Sequence, residues 1–257
     1  MIATFIKRGA VAGSAGGLVL ALVLRVLGED SIGRAIAIEA RLNPAPPGTH
    51  AMFSRTTQQI GGMIGALIFG LALGIVFAVV LALVRHRMAG PGDARRALTL
   101  AAVAFTTVAL VPFLKYPANP PGVGDPATIT RRTVLYLVML AWSVVSTYAA
   151  WRAFRGLRAR GRPDVERAAG AAGVFVALIT TGFVLLPPFT DGVILPAQLL
   201  WRFRLMSLTG QAAFWAVTGL TFAWLATRHT GTGAGADTDA DTDADAGAAR
   251  RAVSQRG

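Results

Sequence analysis

IGGMIGALIFGLALGIVFAVVLALV, residues 60–84, runs without one charged side chain. A helix that crosses the hydrocarbon of a bilayer needs about 20 mostly apolar residues, and this stretch meets that length by itself. Strands are a poor reading, because lipid-crossing strands alternate apolar and polar positions over about 10 residues. Backbone groups left unpaired in hydrocarbon are costly, so a chain buried there closes its hydrogen bonds as a helix.

Five further apolar runs flank it: Gly9–Leu27, Ala97–Leu114, Val134–Trp151, Ala168–Leu186 and Leu205–Ala226. The expected fold is therefore an all-α integral membrane protein of about six transmembrane helices, occupying residues 1–228. Composition agrees. The chain is 54% hydrophobic and 15% charged, whereas soluble domains carry about 45–50% apolar and about 25% charged residues. Too few charges are left to cover a water-facing surface, so lipid supplies the missing contact.

The formal charge of +12 resides mainly in arginines between the apolar runs. Basic loops of this kind orient membrane proteins, and nucleic acid is not expected as a partner. Lys7 and Lys115 are the only lysines, a usage typical of GC-rich bacterial genes. The absence of cysteine excludes disulfides, thiolate metal sites and cysteine nucleophiles together. Lys7 and Arg8 before an apolar run resemble a secretion signal, but Gly28-Glu29-Asp30 follows without a small-x-small cleavage site. An uncleaved first span is expected.

Basic residues set the orientation. Lys7, Arg8, Arg85, Arg87, Arg95, Arg96, Arg228 and the cluster from Arg152 to Arg167 fall on one side. Arg34, Arg41, Arg55, Lys115, Arg131, Arg132, Arg202 and Arg204 fall on the other. The first set is larger, which places both termini in the cytoplasm of a bacterial cytoplasmic membrane. Tyr116, Tyr136 and Trp201 are then expected in the outer interfacial belt, and Trp151 and Trp224 in the inner one.

Glycines spaced by four leave a flat groove where a second helix backbone can approach. Gly9, Gly13 and Gly17 have this spacing, as do Gly61 with Gly65 and Gly70 with Gly74. A second pattern pairs Val111-Pro112-Phe113 with Pro187-Pro188-Phe189, each closing a span. A repeated hairpin suits a transporter; paired prolines are also an ordinary helix stop. Residues 229–257, rich in Gly, Ala, Thr and Asp, hold too little apolar surface to order and are expected as a disordered cytoplasmic tail. Asp241, Asp243 and Asp245 mimic a calcium loop, but Ala246 and Ala252 stand where that loop needs Gly and Glu.

No span carries an acid or histidine near its middle. Such groups mark ion paths in membranes, so a self-contained proton-coupled pump is disfavoured. Thr106, Thr107, Ser143, Ser146, Thr180, Thr181 and Gln211 are expected to bond between helices. Zinc-protease, hydrolase and nucleotide-binding signatures are absent. His50, His86 and His229 are far apart, on two sides of the membrane by the topology above, so no enzyme is expected.

Polar chemistry gathers outside. Ser31 after Asp30 reads as the cap of a short interfacial helix, with Ile32, Ala35, Ile36 and Glu39 on one face. Glu29, Asp30 and Glu39 either pair with Arg34 and Arg41 or draw cations to an outer vestibule with Asp125 and Asp191. FLKYPANPPGVGDPATITRR, residues 113–132, is the second notable segment. Pro112, Pro117, Pro120, Pro121 and Pro126 forbid a continuing helix, and Gly122 and Gly124 permit turns. The expected result is a stiff proline-rich extracytoplasmic cap presenting Lys115, Tyr116, Asn119, Asp125 and Arg131.

SIGRAIAIEA with Glu39, LKYPANPPGVGDPATITRR and the order of the spans together resemble the CbtA family of cobalt transporter subunits, over about Met1 to Arg228. The resemblance implies a membrane subunit for cobalt uptake linked to cobalamin supply, with cobalt as the transported substrate and no permanently bound cofactor. It also implies a small one-span partner of the CbtB type with a histidine-rich end, since divalent cobalt accepts imidazole and carboxylate. Glu39 and Asp125 are this chain's candidate metal-contacting residues, and the segment from Lys115 to Arg131 is its candidate vestibule or partner loop. The alternative is a scaffold that transports nothing and docks a partner through that loop.

Overall fold

The computed structural model describes residues 2–42, 53–88, 90, 92–121, 124, 126–189 and 195–254, with side chains described as far as Arg228 except at Pro126. Eight α-helices and no strand occur among them: α1 (Ile2–Val23), α2 (Glu29–Leu42), α3 (Arg55–Val84), α4 (Gly92–Ala104), α5 (Val111–Lys115), α6 (Ile129–Ala159), α7 (Asp164–Leu185) and α8 (Ala197–Ser254). Five helical stretches are long and apolar enough to cross a membrane: Ile2–Leu42, Arg55–Arg87, Gly92–Lys115, Ile129–Ala159 and Asp164–Leu185. The sixth expected span, 205–226, lies on α8, which is not among these five and packs against α1 and α4. The backbone of α8 runs on through 229–254, the segment expected from sequence to be a tail.

Two local readings are corrected. Ser31 does not cap a separate helix, because α1 passes into α2 through a π-helical turn, Leu24–Gly28, with helical backbone angles on both sides. Nothing at Gly28-Glu29-Asp30 breaks hydrogen bonding, and Ser31 ends inside the helix, fully buried. Pro112 likewise fails to end its helix. The chain is helical from α4 through a π turn, Phe105–Leu110, into α5. A proline in a helix lacks one donor and crowds the carbonyl four residues earlier; the wider turn before Pro112 absorbs both.

Ser54 starts α3 as sequence chemistry dictates, its Oγ accepting the Thr57 N–H at 3.2 Å. The stretch of α3 from Ala66 to Ala78 then meets α1 through glycine. A Cβ at Gly13 would lie 2.5 Å from the Gly74 Cα, and one at Gly17 would lie 2.7 Å from the Ala66 carbonyl oxygen. Gly9 faces Gly74, and Gly70 faces Gly13 and Gly17, as closely. Helix association in lipid depends on such close van der Waals contact.

α8 packs across α1 and α4 and completes this first group of helices. Phe214, Phe222 and Thr218 are fully buried there, with the Phe77 ring edge-on to Phe222 at 5.7 Å. The second group is α6 with α7. Trp142 of α6 lies over Gly182 of α7, and its Nε1 donates to the Leu178 carbonyl at 2.8 Å. Gly182 is the one fully buried residue of α7, while Phe175, Ile179 and Phe183 are half-buried against the cluster of Val111, Tyr116 and Met139. Thr107 and Thr147, whose hydroxyls lie 2.8 Å apart, are one of the contacts that join the groups.

The other hydroxyls differ from expectation. Thr106, Ser146 and Thr181 donate to carbonyls one turn back on their own helices, at Ala102, Trp142 and Ala177. Short side chains in a helix reach that carbonyl more readily than a neighbouring helix.

Candidate functional site: the proline-rich cap

The segment after α5 begins with a clamp. α5 leaves Lys115 in its last turn, beside the end of α7. Its Nζ donates to the Phe183 carbonyl at 2.7 Å, satisfying one of the unpaired acceptors that end α7 and placing a cation at the negative end of that helix. Lys115 also lies 5.8 Å from the ring centres of Tyr116 and Phe183.

Tyr116 adds to this clamp. Its ring stacks on Phe189 with centroids 4.3 Å apart, and its hydroxyl donates to the Pro187 carbonyl at 2.7 Å. The residue is 2% exposed, which corrects its assignment to the interfacial belt: the phenol finds its partner inside the protein. Burial raises its ionisation above the ordinary tyrosine value, the charge of Arg131 pulling weakly the other way, so it stays a neutral donor. With Val111 and Met139 it forms an apolar plug, flanked by Leu135, Phe183 and Phe189.

The other anchor is Arg204 of α8. Its Nη2 donates to the Asn119 side-chain oxygen at 3.0 Å and its Nε to the Ala118 carbonyl at 3.4 Å. Pro117 is half-buried, Pro120 buried and Pro121 exposed, so the extended run between the anchors is seated rather than dangling. Gly124 has φ +100°, and a Cβ there would lie 2.7 Å from an Arg132 guanidinium nitrogen. Arg131 is exposed. Gly122 and Asp125 lie outside the described residues, as do Asp191 and His50.

At the same end of the bundle, two acids are held by arginine. Glu29 accepts from Arg55 at 2.7 Å, and Asp30 meets Arg34 at 3.0 Å and Arg202 at 3.3 Å. Glu39, on α2, is half-buried, and no described residue pairs with it. No three His, Asp or Glu side chains come together as a metal site among the described residues. Of the seven glycines expected to pack helices, Gly9, Gly13, Gly17, Gly70 and Gly74 meet one another, while a Cβ at Gly61 or Gly65 would touch nothing within 4 Å.

Sequence reasoning did not place Phe183 or Arg204 at the cap. Pro187-Pro188-Phe189 was visible as an echo of Val111-Pro112-Phe113, and the structure brings the two ends together through Tyr116.

These helices define a multi-pass α-helical membrane protein. The family model described as "Probable cobalt transporter subunit (CbtA)" matches residues 2–227, and the chain belongs to that family. No curated protein and no solved structure matches it. A subunit of a transporter implies at least one further component.

Proposed function

We propose that this chain is the path-forming subunit of a cobalt-uptake system in the bacterial cytoplasmic membrane, with both termini cytoplasmic and no catalytic role. The observation that carries the reading is the family match across residues 2–227, which spans every apolar helix. A small one-span partner with a histidine-rich end supplies most of the metal ligands, since imidazole suits divalent cobalt.

In this reading the outer cap receives the ion. Glu39 and Asp125 are the carboxylates offered to it, Glu39 being an outer acid that no described arginine holds. Inward passage requires the Val111–Tyr116–Met139 plug to part, and the clamp at Lys115 and Tyr116 sets the ease of that motion.

Uptake of radioactive cobalt into cells expressing the chain with and without the small partner tests this function. Accumulation above background with both present is expected. Background uptake in both conditions, with the chain present in the membrane, removes the assignment and leaves the scaffold reading, in which deletion costs an associated protein and not cellular cobalt.

A further inference from the structure

A groove of about 290 Å³ runs along the junction of α4 and α6, with Ala102, Ala150 and Phe175 among its walls. Ala102 is exposed, so the groove opens on the side that meets lipid. No side chain lining it carries a charge. Its threonine hydroxyls have partners within the protein. Thr106 donates to the Ala102 carbonyl at 3.0 Å, Thr107 and Thr147 lie 2.8 Å apart, and the Thr147 hydroxyl lies 2.9 Å from the Ser143 carbonyl. Such a groove asks its occupant for no polar group, and the lipid tails around a membrane protein are as apolar as leucine.

The two walls run antiparallel. Thr107 meets Thr147, while Val111, later on the first wall, shares a buried cluster with Met139, earlier on the second. In the opposite direction both walls lead to arginine. Arg95 precedes Thr106 by eleven residues, and Arg158 follows Thr147 by eleven. Eleven residues make about three helical turns and about 16 Å, so each arginine shares a face with its threonine and both lie at one end of the bundle. Arg167 of α7 stands at that end too, its guanidinium 5.7 Å from the Phe154 ring, one turn beyond Ala150. Arg167 is paired with Asp164. Arg95 and Arg158 are exposed, and no described acid pairs with them.

Half the hydrocarbon thickness of a bilayer is about 15 Å, the same span that separates the groove threonines from the arginines. We propose that the groove and its basic mouth bind one anionic phospholipid, an acyl chain lying along Ala102, Ala150 and Phe175 and the phosphate held by Arg95 and Arg158. Basic sites between membrane helices hold anionic headgroups in this way, and guanidinium matches phosphate oxygens two at a time. The lipid bridges α4 and α6, one from each helix group, and closes their seam on its membrane side. The proposal goes beyond the transport reading and does not depend on it.

Native mass spectrometry of the full chain in detergent, with dioleoyl phosphatidylglycerol or dioleoyl phosphatidylcholine added, tests it. The chain is expected to retain one phosphatidylglycerol roughly tenfold more tightly than phosphatidylcholine, a gain in keeping with two arginines at an anionic headgroup. Arg95→Gln with Arg158→Gln should abolish that preference, and Arg95→Lys with Arg158→Lys should keep most of it. Arg152→Gln with Arg160→Gln removes equal charge from the face of α6 turned away from the groove and should leave the preference intact. Ala102→Leu with Ala150→Leu fills the groove, keeps both arginines and should weaken retention of both lipids. Equal retention of the two lipids by the wild-type chain overturns the proposal, as does a preference that survives loss of Arg95 and Arg158 or falls as far in the Arg152 and Arg160 control. Wild-type retention by the leucine variant overturns the acyl-chain site. A dimer that holds no phosphatidylglycerol and that the leucine variant breaks overturns it as well, since the groove then seats a helix. No transport is measured, so this result stands apart from the cobalt assignment.

Discussion

Tyr116 and Phe189 stack with ring centroids 4.3 Å apart, joining the end of α5 to the chain that leaves α7. Seventy-odd residues separate the two in sequence, and the contact ties α5 to the C-terminal end of α7. Three bonds act within this one corner: the stack, the Tyr116 hydroxyl to Pro187, and Lys115 to Phe183.

Tyr116→Phe keeps the stack and removes the hydroxyl, leaving the Pro187 carbonyl unpaired. A lost neutral hydrogen bond of this kind costs about 1 kcal/mol. Tyr116→Ala also empties a buried ring site, which costs about 3–5 kcal/mol. Thermal unfolding of the purified chain in detergent should rank wild type above Phe and Phe well above Ala. Equal midpoints for wild type and Ala contradict the clamp.

Lys115→Met keeps an apolar stem and removes the charge that ends α7. A hydrogen bond to a charged donor contributes about 1.5–3 kcal/mol, and here the loss is local. Hydrogen–deuterium exchange should rise in the last turn of α7 near Phe183 while α1 and α3 stay protected. Unchanged exchange at that turn contradicts the capping role.

The glycine spacing yields a contrast between two touching helices, α1 and α3. Gly13→Leu drives a side chain into the backbone of α3, where a Cβ alone comes within 2.5 Å of the Gly74 Cα. Overpacking costs about 1–3 kcal/mol where side chains can yield, and a backbone yields less, so the loss should lie at or above that range. Gly65→Leu, on α3, meets open space and should shift the unfolding midpoint little. A monodisperse, fully stable Gly13→Leu protein contradicts the packing described.

Asp125→Asn and Glu39→Gln each remove a charge and keep the shape. Both variants should lower cobalt uptake severalfold at equal membrane abundance. Wild-type uptake in both rejects these positions as points of ion contact.

The membrane fold was legible because lipid tolerates so few solutions. Residues 60–84 have no alternative to a helix, and glycines four apart name a contact face. The same spacing at Gly61 and Gly65 meets nothing in this chain, because spacing declares that a helix can be approached, not which helix arrives. Helix ends were harder to read. Pro112 and Gly28-Glu29-Asp30 look like stops, yet π turns carry the helix past both, a register change with no one-residue signature. The cap was legible as a stiff segment. Its anchors were not, because Lys115 finds Phe183 and Asn119 finds Arg204 only once α7 and α8 are packed.

The central claim is that cobalt passes between the two helix groups beneath the cap, and locking the cap tests it most directly. Cysteines placed at Tyr116 and Phe189 in this cysteine-free chain can be joined by a short reducible bis-thiosulfonate, with radioactive cobalt uptake measured before and after. Uptake should fall to background when the link is complete and return on reduction. Undiminished uptake through a fully linked cap would contradict the account.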